Sequence, residues 1–157
     1  MGIEYRKDKR DQLWARLEKE IQNRAGKKDN KLVLSGKWKK FIRKQGKLSI
    51  FAVDGKWIRN NLCVYFGHGG HGYVHEFIPK NEIWISTHHY DESRLVRCGC
   101  RLRKKNQRVS KNYFESTLAH EITEFNEMKE GTKYWKAHQI ALEKERSLGL
   151  LKDPYTD

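Results

Sequence analysis

Three residues with metal-binding or acid–base side chains lie close together in the string His120-Glu121-Ile122-Thr123-Glu124. On a helix, residues i and i+4 point from one face one turn apart, so His120 and Glu124 are spaced as two ligands of one ion. Glu121 lies between them and to one side, where a carboxylate can accept a proton from an ion-bound water. The string therefore favours a metal-dependent hydrolytic centre with Glu121 as its general base.

Two predicted helices, 112–130 and 132–147, would position this centre as a helical hairpin. Gly131 between them suits the left-handed conformation that commonly follows a helix. The first helix has apolar residues at helical spacing that should face the core. These residues are Phe114, Leu118, Ile122 and Phe125.

A third ligand candidate, His138, lies on the second helix. It shares a stripe with Tyr134, Ala141 and Glu145, and Ala137 lies beside it, so small residues would let the two helices approach closely. His120, Glu124 and His138 would then provide three protein ligands and leave a fourth position for water, as catalytic zinc sites do.

A non-catalytic interpretation of the same residues stays open. His120 and Glu124 lie roughly opposite the apolar stripe, as residues of a solvated helix face also do. His138 could equally be a hydrogen-bonded histidine of the core. The sequence does not specify the crossing angle of the two helices, and that angle decides whether the three residues converge.

The helix string resembles that of the zincin metallopeptidases, whose motif is His-Glu-x-x-His with a third ligand downstream. By this resemblance His120 is the first ligand, Glu121 the general base and His138 the downstream ligand. Glu124 stands where the family has its second histidine. The resemblance implies zinc and peptide-bond cleavage, whereas the extra carboxylate also suits manganese or iron. Small uncharacterised phage or archaeal proteins are also similar to the helical pair and to three short segments, residues 53–55, 69–71 and 82–85.

A glycine-rich segment, Gly67-His68-Gly69-Gly70-His71-Gly72, precedes a predicted strand. Its glycines allow the backbone to pass close to another group. His71 is the better functional candidate of its two histidines, and one interpretation is that it lines a substrate site or adds a ligand. The competing interpretation is a glycine turn with exposed histidines.

The formal charge of +13 suggests a polyanionic partner such as nucleic acid. The alternative function is therefore a non-catalytic nucleic-acid-binding protein in which Trp38 and Phe41 stack on bases between basic residues. For a hydrolase, the same charge would favour a phosphodiester, and we favour the peptide bond slightly. The candidate anion-binding residues are Lys37, Lys39, Lys40 and Arg43, with Arg101, Arg103, Lys104 and Lys105 from the basic segment 94–111.

The rest of the chain predicts an α+β fold in one domain, residues 1–157. Residues 8–24 have the spacing of an amphipathic helix. Region 31–87 is predicted as an antiparallel meander, with Asp54-Gly55 as a hairpin turn. Its strand candidates are residues 32–34, 47–53, 62–66, 73–78 and 82–85.

Composition narrows the class of protein further. No stretch approaches the roughly 20 consecutive apolar residues that a membrane helix needs. The N-terminal residues do not have the pattern of a secretory signal, so we expect an intracellular protein. Cys63, Cys98 and Cys100 cannot all pair within one chain and are expected to be reduced. Cys98-Gly99-Cys100 lacks the repeated CxxC of a zinc ribbon and is interpreted as two thiols near a turn.

Overall fold

A computed structural model describes residues 16–20, 23, 34–89 and 107–151. Of the predicted helix at 8–24, the described residues 16–20 and 23 are helical and are called α1. The other elements are β1 (Lys39–Gln45), β2 (Leu48–Val53), α2 (Gly55–Asn61), β3 (Gly69–His71), β4 (Glu82–Ser86), α3 (Lys111–Lys129) and α4 (Tyr134–Leu148). The α+β class and the two C-terminal helices are therefore confirmed.

The sheet is mixed, so the prediction of an antiparallel meander is wrong. Its strand order is β1-β2-β4-β3. The β1–β2 and β3–β4 pairs are antiparallel, whereas β2 and β4 run parallel, with Ile50 opposite Ile83 and Phe51 opposite Trp84. A parallel pair requires a crossover connection, and α2, β3 and their loops provide it here.

The predicted hairpin at Asp54-Gly55 is also wrong, because these residues begin helix α2. The Asp54 carboxylate accepts hydrogen bonds from the backbone N–H groups of Lys56 at 3.0 Å and Trp57 at 3.2 Å. Aspartate is a preferred N-cap as well as a turn residue, so the dipeptide alone did not distinguish the two structures. This helix carries the chain away from β2 and makes the parallel return possible.

Two further strand predictions fail. Residues 62–66 and 73–78 lie in turns and irregular loops, and Leu34 lies outside any strand, while residues 32–33 fall outside the described part. Phe66 and Ile78 nevertheless bury their side chains completely. Short apolar runs can supply core residues from loops, so hydrophobicity alone did not identify strands. β1, which was not predicted as a strand, is the basic and aromatic segment.

The core lies on both faces of the sheet because residues of each strand alternate between them. On one face, Ile50, Ile83 and Ile85 pack against Leu118 and Phe125 of α3, with Leu48 completing this cluster. The opposite face is built on Trp84 and receives side chains from α2 and the loops. Its buried members are Val53, Ile58, Phe66, Ile78 and Trp84.

Helices α3 and α4 form the predicted helical pair on the first face. Ser110 caps α3 by accepting a hydrogen bond from the backbone N–H of Tyr113 at 3.1 Å. The predicted apolar stripe of α3 does face the sheet. Gly131, with φ of +96°, lies in the turn that separates the two helices, and Gly149, with φ of +61°, ends α4. No helix in the described ranges has both the length and the hydropathy needed to cross a membrane.

Candidate metal centre

The candidate centre lies where α3, α4 and β3 meet. His120 and Glu124 come from α3 and His138 comes from α4, as the sequence predicted. None of the three belongs to a solvated helix face, because they are only 6%, 3% and 8% exposed. Helix α4 covers the side of α3 opposite the apolar stripe, so both sides of α3 are buried.

Three atoms that can bind one ion form a small triangle. His120 Nε2 lies 3.1 Å from Glu124 Oε2 and 3.1 Å from His138 Nδ1, and His138 Nδ1 lies 2.9 Å from Glu124 Oε2. Ligand atoms of a tetrahedral zinc ion with bonds of about 2.0–2.1 Å are separated by about 3.3 Å. The distances between these ligand atoms would therefore need to increase by only about a few tenths of an ångström to hold an ion.

His120 is oriented by Glu145, which sequence reasoning did not assign to the site. The other ring nitrogen, His120 Nδ1, donates to Glu145 Oε2 at 3.0 Å. Glu145 in turn accepts a hydrogen bond from the buried Ser116 hydroxyl at 3.0 Å. A carboxylate on the far nitrogen of a metal-binding histidine fixes its tautomer and increases its basicity. The spacing of Glu145 two turns after His138 was the signal for a second site residue on α4.

Glu124 is also supported on its far side. His71 Nε2 lies 2.9 Å from Glu124 Oε1, and the His71 side chain is fully buried. The predicted alternative of an exposed histidine in a glycine turn is therefore wrong. His71 lies behind Glu124, and the cavity beside the site is lined by other residues.

Glycines allow β3 to approach α3 closely. A Cβ atom at Gly69 would lie 3.0 Å from Cγ of Glu121 and 3.1 Å from Cδ1 of Ile85. A Cβ at Gly70 would lie 2.5 Å from the His75 ring. Gly69 thus lets β3 lie close to α3, with His71 against Glu124, while Gly70 leaves room for the His75 ring.

Glu121 differs from its neighbours in the weak contacts of its carboxyl group. Within the described residues it makes no hydrogen bond, and its ion-pair contact with His71 Nε2 is long, at 4.0 Å. Its side chain is nevertheless largely buried and lines a cavity of about 320 Å³. His120, Glu124 and His138 line the same cavity. The arrangement places a carboxyl group that makes no hydrogen bond among the described residues beside the three candidate ligands.

Burial and mutual interaction shift the protonation of the cluster. Burial opposes a charged imidazole, but hydrogen bonds to Glu124 and Glu145 raise the pKa of His120 to about 10. Burial would also raise the pKa of Glu124, but hydrogen bonds with His120, His138 and His71 hold it far below its usual range. Burial, followed by the charge of Glu124, raises the pKa of Glu121 to about 8. A divalent cation here would displace protons, since it favours neutral imidazoles and ionised carboxylates.

The predicted anion-binding residues differ in their surroundings. The Lys39 side chain is buried and pairs with Glu82 at 2.7 Å, and Arg43 pairs with Glu115 at 2.7 Å. Trp38 stacks on Trp57 in the core, with ring centroids 4.3 Å apart. Lys37, Lys40 and Phe41 are exposed, whereas Arg101, Arg103, Lys104, Lys105, Cys98 and Cys100 lie outside the described residues.

Comparison of the chain with models of protein families, with curated proteins and with solved structures found no match.

Proposed function

We propose that this protein is a metal-dependent hydrolase that binds one divalent ion, with zinc preferred over manganese or iron, through His120, Glu124 and His138. Glu121 is its general base. The observation that carries this proposal is the convergence of three buried ligand atoms within 3.1 Å of one another, beside the Glu121 carboxyl group in a cavity. Buried ionisable groups are costly to maintain, so a cluster of this kind favours a functional role.

A divalent ion held by His120, Glu124 and His138 would act as a Lewis acid, lowering the pKa of a bound water and polarising the carbonyl group of the substrate. Glu121 would accept a proton from the attacking water at its carboxylate and would later donate it to the leaving amine as the C–N bond breaks. His120 stays in one tautomer throughout because Glu145 holds its Nδ1–H.

The cavity favours a peptide substrate over a phosphodiester. Its walls contain three glutamates and no lysine or arginine among the described residues. Apart from the proposed ion and histidines, the described lining therefore supplies no cationic side chain to pair with a phosphate group. Neutral and aromatic side chains complete the lining and suit a polypeptide segment; they include Tyr65, Val74, Tyr113, Tyr134 and Leu151.

Elemental analysis of the purified, untagged protein tests the proposal first. We expect one equivalent of zinc, iron or manganese in the wild type, lost in His120→Ala and in His138→Ala. His88→Ala is the matched control, because His88 contacts Thr87 outside the cluster and should leave the metal content unchanged.

Hydrolysis of an unfolded protein substrate should be abolished by chelation and restored by added zinc. A wild-type protein that neither contains a divalent metal nor takes one up would refute the proposal. Metal binding without cleavage of any peptide would refute the peptidase assignment alone.

A further inference from the structure

A second group of metal-binding side chains adjoins the proposed centre. His71, Glu121 and Glu124 are all buried, and each offers a ligand atom within 4.8 Å of the others. Glu124 belongs to both groups, with Oε2 facing His120 and His138 and Oε1 facing His71. Spacing alone would therefore allow two ions bridged by Glu124, as in two-metal hydrolases.

The hydrogen bonds of His71 decide against a second ion. Its Nδ1 accepts the backbone N–H of Tyr73 at 3.3 Å. In a neutral imidazole only one nitrogen carries hydrogen, so the proton of His71 is on Nε2. Nε2–H then donates to Glu124 Oε1 at 2.9 Å, and a protonated nitrogen has no lone pair for a metal.

The backbone around His71 holds this arrangement in place. The His71 carbonyl accepts hydrogen bonds from the N–H groups of Val74 at 3.2 Å and His75 at 3.0 Å. The rings of Tyr73 and Phe125 pack near the imidazole, with centroids 6.3 Å and 5.7 Å away. Water is excluded from the fully buried ring, which strengthens its hydrogen bond to the carboxylate.

We propose that His71 is a positioning residue that makes Glu124 a one-oxygen ligand and keeps the centre mononuclear. The Nε2–H group of His71 occupies Oε1 of Glu124, so only Oε2 of Glu124 remains for the ion. This inference rests on the proposed metal centre. Its consequences are that coordination positions stay open for water and substrate, and that Glu121 remains a free base instead of becoming a ligand.

Cobalt-substituted protein tests the role of His71, because four-coordinate cobalt(II) absorbs visible light far more strongly than five-coordinate cobalt(II). We expect the wild type to bind one equivalent with the strong bands of a four-coordinate ion. His71→Leu removes the donor and frees Oε1, which should weaken the bands and reduce cobalt affinity by roughly 10–100-fold. His71→Gln retains an N–H donor and should restore the wild-type spectrum.

A measurement on the wild type avoids reliance on variants of a fully buried residue. Long-range ¹H–¹⁵N NMR of the zinc-loaded protein should show His71 Nε2 protonated and Nδ1 unprotonated. A metal-bound Nε2, or two equivalents of cobalt with one lost in His71→Leu, would overturn the proposal. An unchanged spectrum and affinity in folded His71→Leu would do the same. Failure of the wild type to bind any cobalt would instead refute the metal centre itself.

Discussion

Two regions of this protein are rich in ionisable side chains but differ in how far those side chains are exposed to solvent. On β1 and just before it, Lys37, Lys40 and Lys44 are exposed, and Arg43 forms a partly exposed ion pair with Glu115. Between α3, α4 and β3, three histidines and three glutamates are each at most 9% exposed. The first region keeps most of its charges in water, whereas the second removes them from it.

This difference in exposure indicates which charged residues point to a function. A solvated lysine costs little to keep and is expected in a chain with a net charge of +13. A buried carboxylate costs several kcal/mol, by order of magnitude, unless it is paired or binds a cation. The α3–α4 cluster therefore favours a function more strongly than the basic strand does, although basic residues dominate the composition.

The largest expected contrast between the regions is in metal binding. Glu124→Ala removes one ligand atom and the acceptor for three histidines, so we expect complete loss of bound metal and of hydrolysis. Lys40→Ala on β1 should change neither. Metal analysis and a hydrolysis assay on the two purified variants measure this contrast. Retention of a full equivalent of metal by Glu124→Ala would show that the ion is bound at another site.

Glu121→Gln should separate catalysis from metal binding. The amide has nearly the same shape but cannot accept the proton, so kcat should fall by roughly 10²–10⁴-fold. Metal content should remain at one equivalent, because Glu121 is not among the proposed ligands. Steady-state kinetics beside elemental analysis provides both values. If the variant kept wild-type kcat, another group would have to be the base.

A smaller effect is expected at the residue that orients His120. Glu145→Gln weakens the hydrogen bond to His120 Nδ1 and should reduce metal affinity by about 10–100-fold. Competition with a chelator of known affinity measures the change. Ser116→Ala removes only the outer hydrogen bond to Glu145 and serves as the graded comparison. Equal affinities for Glu145→Gln and the wild type would contradict the orienting role.

The smallest effect concerns the β1 ion pair and depends on pH. The hydrogen bond from Arg43, with its charge, lowers the pKa of Glu115 despite partial burial. A lowered carboxyl pKa adds stability above the ordinary glutamate pKa, and this stability is lost as the pH falls through the folded-state value. Arg43→Ala should therefore destabilise the protein at pH 7 by at most about 1 kcal/mol, since the pair is partly exposed.

Urea unfolding of Arg43→Ala and the wild type at pH 7 and in strong acid checks the sign. The difference in free energy of unfolding should shrink towards zero in acid. A difference that grew as the pH fell would contradict the assignment.

The sequence was a good guide to local features of the fold. Helical spacing predicted α3 and α4 to within two residues at each end, and Gly131 marked the break between them. β2 and β4 were predicted from their apolar runs. Asp54-Gly55 was misinterpreted, because the same dipeptide suits a hairpin turn and a helix start. That choice, together with the strands wrongly predicted at 62–66 and 73–78, led to an antiparallel prediction for a sheet that is mixed.

The sequence by itself determined which residues of α3 and α4 could share an ion, since i and i+4 on one helix are neighbours whatever surrounds them. Only the tertiary structure decided that His138 meets them, that Glu145 and His71 support them and that Glu121 lies beside them without a hydrogen bond among the described residues. Those contacts join residues 14 to 53 positions apart and depend on how α4 and β3 pack against α3. Local spacing carries no information about such packing, because it is set by side chains across the whole core.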